Sequence, residues 1–268
     1  MIFSIITITF NSREYLEETI ISVITQEFTE LEYIIIDGGS TDGTLEIIRG
    51  YANADSRIRW ISEPDDGIAD AFNKGLRMAR GEIVGILNSD DRYLPGALAR
   101  VAEAVGTHAD CDIFHGDMLR LDGEKVLFRL VPADVESSIW HEMPLNHPAT
   151  FVTRRAYERV GGFDAAIRIA MDYDLLLRLY KSGCRFHNIP HSLAAMRYGG
   201  ASDSKNLEGL REVRTIAIRE GYPWSKAWFW FCYKVGISSV KNLLRRLGLF
   251  ELLYLHPRFR KAGFEKKT

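Results

Sequence analysis

The sequence predicts an α/β fold: a Rossmann-like, doubly wound, mostly parallel sheet followed by a C-terminal helical tail. Three observations lead there. Short β-branched apolar runs alternate with segments of helical apolar spacing through roughly the first hundred residues, the pattern of strand–crossover–strand units. Each run stops at a cluster of Asp, Asn, Ser or Gly, residues that favour turns over continued extension. Finally, a chain of 268 residues, 46% hydrophobic and 26% charged, can bury a sizeable core without a disulfide or metal staple. That composition excludes a disordered, collagen-like or disulfide-scaffold protein.

Taken in order, Ile2–Phe10 reads as the first strand, and Asn11-Ser12 offers a cap to a helix carrying Tyr15, Leu16, Thr19, Ile20 and Val23 on one face. Glu32–Ile36 is the second strand, ended by Asp37-Gly38-Gly39. Leu45, Ile47 and Ile48 open the next helix, and Ile58–Ile61 is a third, short strand. The turn Pro64-Asp65-Asp66-Gly67 precedes a helix with Ala69, Phe72, Leu76 and Ala79 inward. Gly81 stops it, and Glu82–Leu87 is the fourth strand, halted at Asn88-Ser89-Asp90-Asp91. Parallel pairing with right-handed crossovers follows from this alternation.

Beyond residue 110 the pattern is less regular. Asp112–His115 and Val126–Leu130 suggest strands of a hairpin around Asp122-Gly123. Arg155–Val160 reads as a short helix, Gly161-Gly162 as a break, and Asp172–Lys181 as a helix with Leu175, Leu176 and Leu179 inward. Residues 198–203 form a small-residue loop. A boundary near Gly221-Tyr222-Pro223 divides the chain into residues 1–222 and a tail, 223–268. The tail holds ten Lys and Arg against two Glu, a local charge of +8 within a chain of net charge -2. The near-neutral total argues against a nucleic-acid partner. Cys111, Cys184 and Cys232 stand apart with no CxxC spacing, as thiols do in a reducing compartment. The first residues lack the charged region and cleavage site of a signal peptide, and no uncharged apolar stretch reaches membrane-spanning length. A cytoplasmic location is expected.

In an open parallel sheet, ligands bind beyond the carboxyl ends of the strands. Asp37 and Asp90-Asp91 sit at such ends, and Asp65 follows another. Carboxylates gathered on one rim repel unless they meet a cation or accept specific hydrogen bonds. A hard divalent ion meets the first condition and base or ribose donors meet the second, which suggests a nucleotide diphosphate ligand. The competing reading is that each Asp merely caps the helix that follows it.

The ordered set of segments resembles the family 2 glycosyltransferases. Those segments are Ser4–Asn11 (SIITITFN), Ile35–Thr44 (IIDGGSTDGT), Glu63–Gly67 (EPDDG), Asp70–Gly75 (DAFNKG) and Leu87–Asp91 (LNSDD). The series continues with Gly161–Asp164 (GGFD), Met171–Arg178 (MDYDLLLR) and Gly199–Ser202 (GGAS), spanning roughly residues 2–205. The resemblance implies an inverting enzyme with the A-type glycosyltransferase fold and a nucleotide-sugar donor, usually a UDP-sugar. It implies that Asp37 accepts hydrogen bonds from the base, that Asp65 helps enclose it, and that Thr9 lines the nucleoside pocket. Asp90 then contacts the ribose side and Asp91 holds Mg²⁺ or Mn²⁺. Lys74 is either a phosphate-side cation or an exposed helix lysine. Asp172 matches the catalytic base, although Met171 stands where many members carry Glu; its alternative is a helix cap, with Asp174 as a first-turn acid.

The acceptor expected is a hydroxyl of a glycan or lipid-linked molecule in cell-surface polysaccharide synthesis, and Gly199–Ser204 is a candidate lid. The aromatic, basic tail has two readings: a helix lying in a membrane interface, making the enzyme peripheral, or a helix packed on the domain. His187 and His191 are four apart, but Pro190 between them and the absence of an accompanying Glu remove the metalloprotease pattern. His147 is a candidate for the acceptor side. Two other classes compete: a sugar-phosphate nucleotidylyltransferase, for which a Gly-rich loop is expected where Thr9-Phe10-Asn11 stands, and a non-catalytic nucleotide- or glycan-binding module.

Overall fold

The computed structural model describes residues 3–197, 206–246 and 259–260. Four parallel strands form one side of its sheet: β1 (Phe3–Thr9), β2 (Leu31–Asp37), β3 (Ile58–Ser62) and β4 (Ile83–Ile86), in the order β3-β2-β1-β4 with β3 at the edge. The helices α1 (Leu16–Ile24), α2 (Thr44–Ala54) and α3 (Ile68–Met78) make the crossovers. Both faces of these strands are covered, which is why they read as continuous apolar runs. Phe3 and Ile5 of β1, with Tyr33 and Ile35 of β2, pack with α1 and α2. Ile6, Ile34 and Ile36 point the other way, onto α3. These side chains are fully buried, and each contributes about 1.5–3 kcal/mol.

Beyond β4 the sheet changes character. β8 (Thr150–Thr153) pairs antiparallel with β4, and β6 (Ile113–Asp122) pairs antiparallel with β8 and with β7 (Lys125–Leu130). The expected hairpin is present, with Gly123 at its turn at φ 55°. β9 (Phe186–Arg197) runs parallel to β6 and pairs with the short β5 (Arg92–Tyr93), and the two-residue β10 (Phe259–Arg260) pairs with β7. The sheet is therefore mixed, with β4, β1, β2 and β3 making its parallel half and β3 standing at the edge.

Three elements exceed the sequence expectation. α4 (Ala97–Thr107) follows the turn at Pro95-Gly96. β9 departs from strand alternation because its pairing with β6 shifts register near Gly116 and Asp117, opposite its own Pro190-His191. Helix α8 (Asn206–Arg219) precedes the predicted tail. α5 (Val135–Ser138), a 3₁₀ turn (His147–Ala149), α6 (Arg154–Val160) and α7 (Met171–Lys181) complete the body.

The tail begins with one long helix, α9 (Trp224–Arg246), whose first half lies against the body. Trp230 stacks on His141, Lys234 pairs with Glu142, and Arg214 of α8 lies over the rings of Trp228 and Phe231. Trp224, Phe229, Tyr233 and Val240 remain exposed. Among the described residues no helix is long and apolar enough to cross a membrane. The loop Gly199–Ser204, named above as a candidate lid, lies outside the described residues, as do Arg258 and Lys261 of the tail.

Candidate active site

Backbone pairing sets Thr9, Asp37 and Ser62 abreast at the carboxyl ends of β1, β2 and β3. Asp37 is wholly buried, and its carboxylate is saturated. It accepts from the N–H groups of Gly39 and Ser40 at 3.0 Å, from the hydroxyl of Ser62 at 2.7 Å, and from the hydroxyl of Ser40. Through these bonds Asp37 folds the Gly38–Ser40 turn. Asn11 locks that turn to β1 from a left-handed conformation, φ 49°. Its N–H donates to Ser40 Oγ at 2.8 Å, and its Oδ1 accepts from the N–H of Thr41 at 2.9 Å.

Asp65 lies beside Gly38. Its Oδ1 accepts from the N–H of Gly67 at 2.9 Å. Lys74 holds the same loop, donating to the carbonyl of Pro64 at 2.7 Å and pairing with Glu63 at 3.0 Å and Asp70 at 3.2 Å. In this arrangement Lys74 pairs with two carboxylates and ties its helix to the loop of Asp65.

At the end of β4, one strand from β1, the acidic pair divides. Asp90 is half-buried and Asp91 is sealed at 1% exposure. Asp91 Oδ2 accepts from Asn88 at 3.1 Å, while Oδ1 is buried without a partner. Burial, and then the charge of Asp90, push the Asp91 carboxyl well above the usual carboxylate range. Thr19 of α1 fixes the backbone beneath, donating to the carbonyls of Ser89 and Asp91 at 2.9 and 2.7 Å. Thr9 Oγ1 is a second buried oxygen without a partner on this rim. Two unsatisfied oxygens and a destabilised carboxylate fit a divalent cation with a polar ligand. Among the described residues no three His, Cys, Asp or Glu side chains converge on one point. An ion here would therefore complete its shell with ligand phosphates and water, as Mg²⁺ commonly does.

Asp172 is the second residue of α7, not its cap; that position belongs to Ala170. Its Oδ1 accepts from the N–H of Tyr173 at 2.8 Å, and Oδ2 carries no hydrogen bond among the described residues. Asp174 is its opposite: wholly buried and clamped between Arg178, at 2.8 Å, and Arg219. Only Asp172 is available to a substrate. His147 links it to the rest of the rim. The 3₁₀ turn of His147 touches β4 and β5, the strands flanking Asp90 and Asp91, and its ring packs on Phe72 with centroids 5.6 Å apart. Its Nε2 is shut off from solvent with no partner. Burial lowers the His147 pKa, and the charge of Asp172 works against that shift.

Asp37 and the Asp90-Asp91 pair thus follow β2 and β4, while Asp172 opens α7 within electrostatic reach of His147. A cavity of about 420 Å³ lies elsewhere, between α3 and α6 and against Val84 near the start of β4, and none of the predicted site residues line it. Sequence reasoning missed Glu212 of α8, which accepts from the N–H groups of Arg168, Ile169 and Ala170 and so fixes the start of α7. Its partners are main-chain groups, which leave no mark in a sequence.

Comparison with known proteins places these features in company. The model of glycosyl transferase family 2 matches residues 4–159. A PGL/p-HBAD biosynthesis glycosyltransferase of Mycobacterium tuberculosis is 30% identical over 225 residues, covering 81% of this chain and 87% of the relative. Chondroitin synthase of Escherichia coli is 30% identical over 214 residues, 79% of this chain but 31% of that longer protein. Among solved structures, the mannosyltransferase PcManGT from Pyrobaculum calidifontis, in complex with GDP-Man and Mn²⁺, superposes with TM-score 0.69 at 20% identity, covering 96% of this chain and 81% of that one. S. aureus TarS in complex with UDP-GlcNAc gives TM-score 0.67 at 22% identity, covering 85% and 69%. The shared architecture is the A-type glycosyltransferase fold.

Proposed function

The chain belongs to glycosyl transferase family 2, and we propose that it is an inverting glycosyltransferase moving a sugar from a UDP-sugar to a hydroxyl of a glycan or lipid-linked acceptor. That it is a glycosyltransferase follows from membership, which sets aside the nucleotidylyltransferase and the non-catalytic module. The observations that carry the finer reading are the carboxylate of Asp172, with one oxygen unbonded among the described residues, and the buried unsatisfied oxygens of Thr9 and Asp91. Relatives named for glycolipid and polysaccharide synthesis support the acceptor class, and neighbours holding UDP-GlcNAc and GDP-Man support a nucleotide-sugar donor.

In this mechanism Asp172 accepts the proton of the acceptor hydroxyl as that oxygen bonds to the anomeric carbon. The bond from that carbon to the diphosphate oxygen breaks on the opposite face, and its electron pair leaves with the nucleotide. General-base help of this kind is worth about 10²–10⁴-fold. Asp91 would hold Mg²⁺ or Mn²⁺, which when bound supplies Lewis-acid neutralisation of the diphosphate charge, with Asp90 on the ribose side. Thr9 and the Gly38–Ser40 turn, folded by Asp37, line the nucleoside end, with Asp65 at its side.

The enzyme works on the cytoplasmic face of a membrane in this reading, touching it through residues 223–268. The exposed Trp224, Phe229, Tyr233 and Val240 of α9 supply the apolar contact, and the basic residues beyond them the attraction to anionic lipid. Truncation after Tyr222 should abolish sedimentation with anionic liposomes; unchanged sedimentation overturns the membrane contact. For the reaction, a panel of nucleotide sugars with Mg²⁺ or Mn²⁺ is assayed for nucleotide release and for the anomeric configuration of the product. Release from a UDP-sugar with inversion is expected. Retention, or no turnover with any UDP-sugar, would sink the proposal.

A further inference from the structure

The cavity of about 420 Å³ between α3 and α6 is held open by hydrogen bonds at its edges. Asn73 and Gly162, from two of the segments that stand out in the sequence, meet at its wall. The Asn73 amide donates to the carbonyl of Phe163 at 2.8 Å and accepts from its N–H at 2.9 Å, so one side chain spans from α3 to the turn after α6. A Cβ on residue 162 would run into Asn73 Oδ1, and glycine leaves that reach clear. Two arginines pin the remaining walls. Arg178 of α7 donates to the carbonyls of Val160 and Gly162, each at 2.7 Å, and Arg154 donates to those of Ala79 and Arg80 at 2.6 and 2.9 Å. α6 cannot settle onto α3 without breaking these bonds, so the space is preformed.

The lining is apolar within and charged at its edge. Leu76, Ala79, Val84, Tyr157 and Phe163 supply hydrocarbon and two rings, whereas Arg77, Arg154 and Glu158 are exposed. Arg154 donates to the two carbonyls through its terminal nitrogens, and its Nε lies 3.8 Å from Glu158. Arg77 carries no hydrogen bond or ion pair among the described residues; its charge is felt at Asp70, two turns back on the same helix. The cavity is separate from the candidate active site. The rings of Phe163 and Phe72, with centroids 5.0 Å apart, stand between it and His147, which packs on the far side of Phe72.

We propose that this cavity binds a small soluble anion with an aromatic or alkyl body, the body against Leu76, Val84 and Phe163 and the anionic group on the guanidinium of Arg77. The volume lies toward the small end of the range of about 300–1,000 Å³ for ligand pockets, which suits one such molecule and is too small for a two-chain lipid. Two guanidinium groups against one carboxylate leave an excess of positive charge at the edge, and that excess favours an anion over a neutral molecule of the same shape. Arginine, with its planar fork of donors, is the side chain suited to a carboxylate, phosphate or sulfonate. Nothing here depends on a sugar donor or a metal, so the site stands or falls apart from the glycosyltransferase reading.

The test is fluorescence titration of the full chain with two probes that share one body, anilinonaphthalene sulfonate and its uncharged parent, N-phenylnaphthylamine. Wild type should bind the sulfonate saturably at one site, about tenfold tighter than the parent, the scale of one charge-assisted hydrogen bond. Arg77→Gln, a change at an exposed helix position, should bring the two affinities together. Leu76→Trp, which fills the cavity, should remove both. Apolar surfaces also take such dyes, so Phe229→Ala on the exposed face of α9 is the control and should leave both affinities unchanged. The inference is overturned if wild type shows no saturable binding, if the parent binds as tightly as the sulfonate, or if the preference survives Arg77→Gln. Binding kept by Leu76→Trp and lost in Phe229→Ala would place the dye on α9 and likewise overturn it. Thermal melts accompany each variant; should Leu76→Trp prove unfolded, Arg77→Gln decides alone.

Discussion

The carboxylate of Glu212 accepts a hydrogen bond from the backbone N–H of Ala170 at 2.7 Å, and the same oxygen takes the N–H of Ile169 at 2.8 Å. The first N–H groups of a helix have no partner within it, and an acid there also meets the positive end of the helix dipole. Ala170 has no side-chain oxygen to serve as a cap; Glu212, 42 positions later in the chain, instead gathers the N–H groups of Arg168, Ile169 and Ala170 that lead into the helix. Asp172 follows two residues on. Glu212→Ala should cost about 1–2 kcal/mol of stability, as lost caps do. It should also lower kcat about tenfold with the donor KM unchanged, while Glu212→Gln, which keeps an acceptor, recovers most of both. A kcat that stays at the wild-type level in Glu212→Ala would confine Glu212 to stability.

Asp172 and Asp174 are two residues apart on α7 and should fail in different ways. Asp172→Asn removes a proton acceptor whose Oδ2 has no partner within the described chain, so the fold should survive. Transfer should drop by about 10²–10⁴-fold with donor affinity intact. Asp174→Asn leaves Arg178 and Arg219 facing a neutral amide in a fully buried place. Breaking such a pair costs about 3–5 kcal/mol, so its signature should be a lowered melting temperature. Steady-state kinetics beside thermal melts of the two variants distinguish the cases, and equal melts with equal activities would refute the division.

Much of this was legible in the sequence, for a physical reason. Strands β1, β2 and β4 are buried on both faces, so Ile5, Ile34 and Val84 had to be apolar whichever way they pointed. The acids that stop those strands were visible as breaks. What each acid does was not. Asp37 and Asp65 look alike in sequence, yet one takes hydrogen bonds from Gly39, Ser40 and Ser62 while the other takes one from the N–H of Gly67, a difference made by main-chain turns that a sequence does not print. β9 escaped notice because Pro190, His191 and Ser192 interrupt its pattern where the pairing with β6 shifts register. The tail divided for a similar reason: Trp230 and Trp224 lie on one helix, but only Trp230 finds a ring, His141, to stack on.

Metal dependence should separate Asp90 from Asp91. Asp91→Asn should abolish the stabilisation by Mn²⁺ seen in thermal melts with UDP, a linkage effect that grows with ligand excess over its dissociation constant, whereas Asp90→Asn should keep a Mn²⁺ response. Without metal they should part as well. Asp91→Asn removes a charge buried at 1% exposure beside Asp90, so the metal-free protein should melt no lower than wild type and is expected to melt higher. Asp90→Asn, at a half-open position, should leave the metal-free melt nearly unchanged. A full Mn²⁺-dependent shift in Asp91→Asn would remove Asp91 from the metal site.

His115 on β6 sets an acid limit on the fold, independent of catalysis. It is 5% exposed, and its Nδ1 is buried with no partner. Burial, aided by the nearby His187, lowers its pKa to about 4. His187 is itself lowered, by partial burial and then by His108, on which it stacks with ring centroids 3.7 Å apart. The unfolded chain therefore takes up a proton at His115 near the ordinary value of 6.5 while the folded chain refuses it. Between these values the unfolded state holds more protons, so stability rises with pH. The His115 contribution is complete above about pH 6.5, falls as pH drops toward 4, and levels off below that. Between pH 7.5 and 5.5 the loss should be about 1 kcal/mol. Urea unfolding at those two pH values should reveal it in the wild type, and His115→Gln, which cannot take up a proton, should flatten the dependence by that amount. A wild-type slope retained in full by His115→Gln would assign the acid sensitivity to another group, with His187 the next to replace.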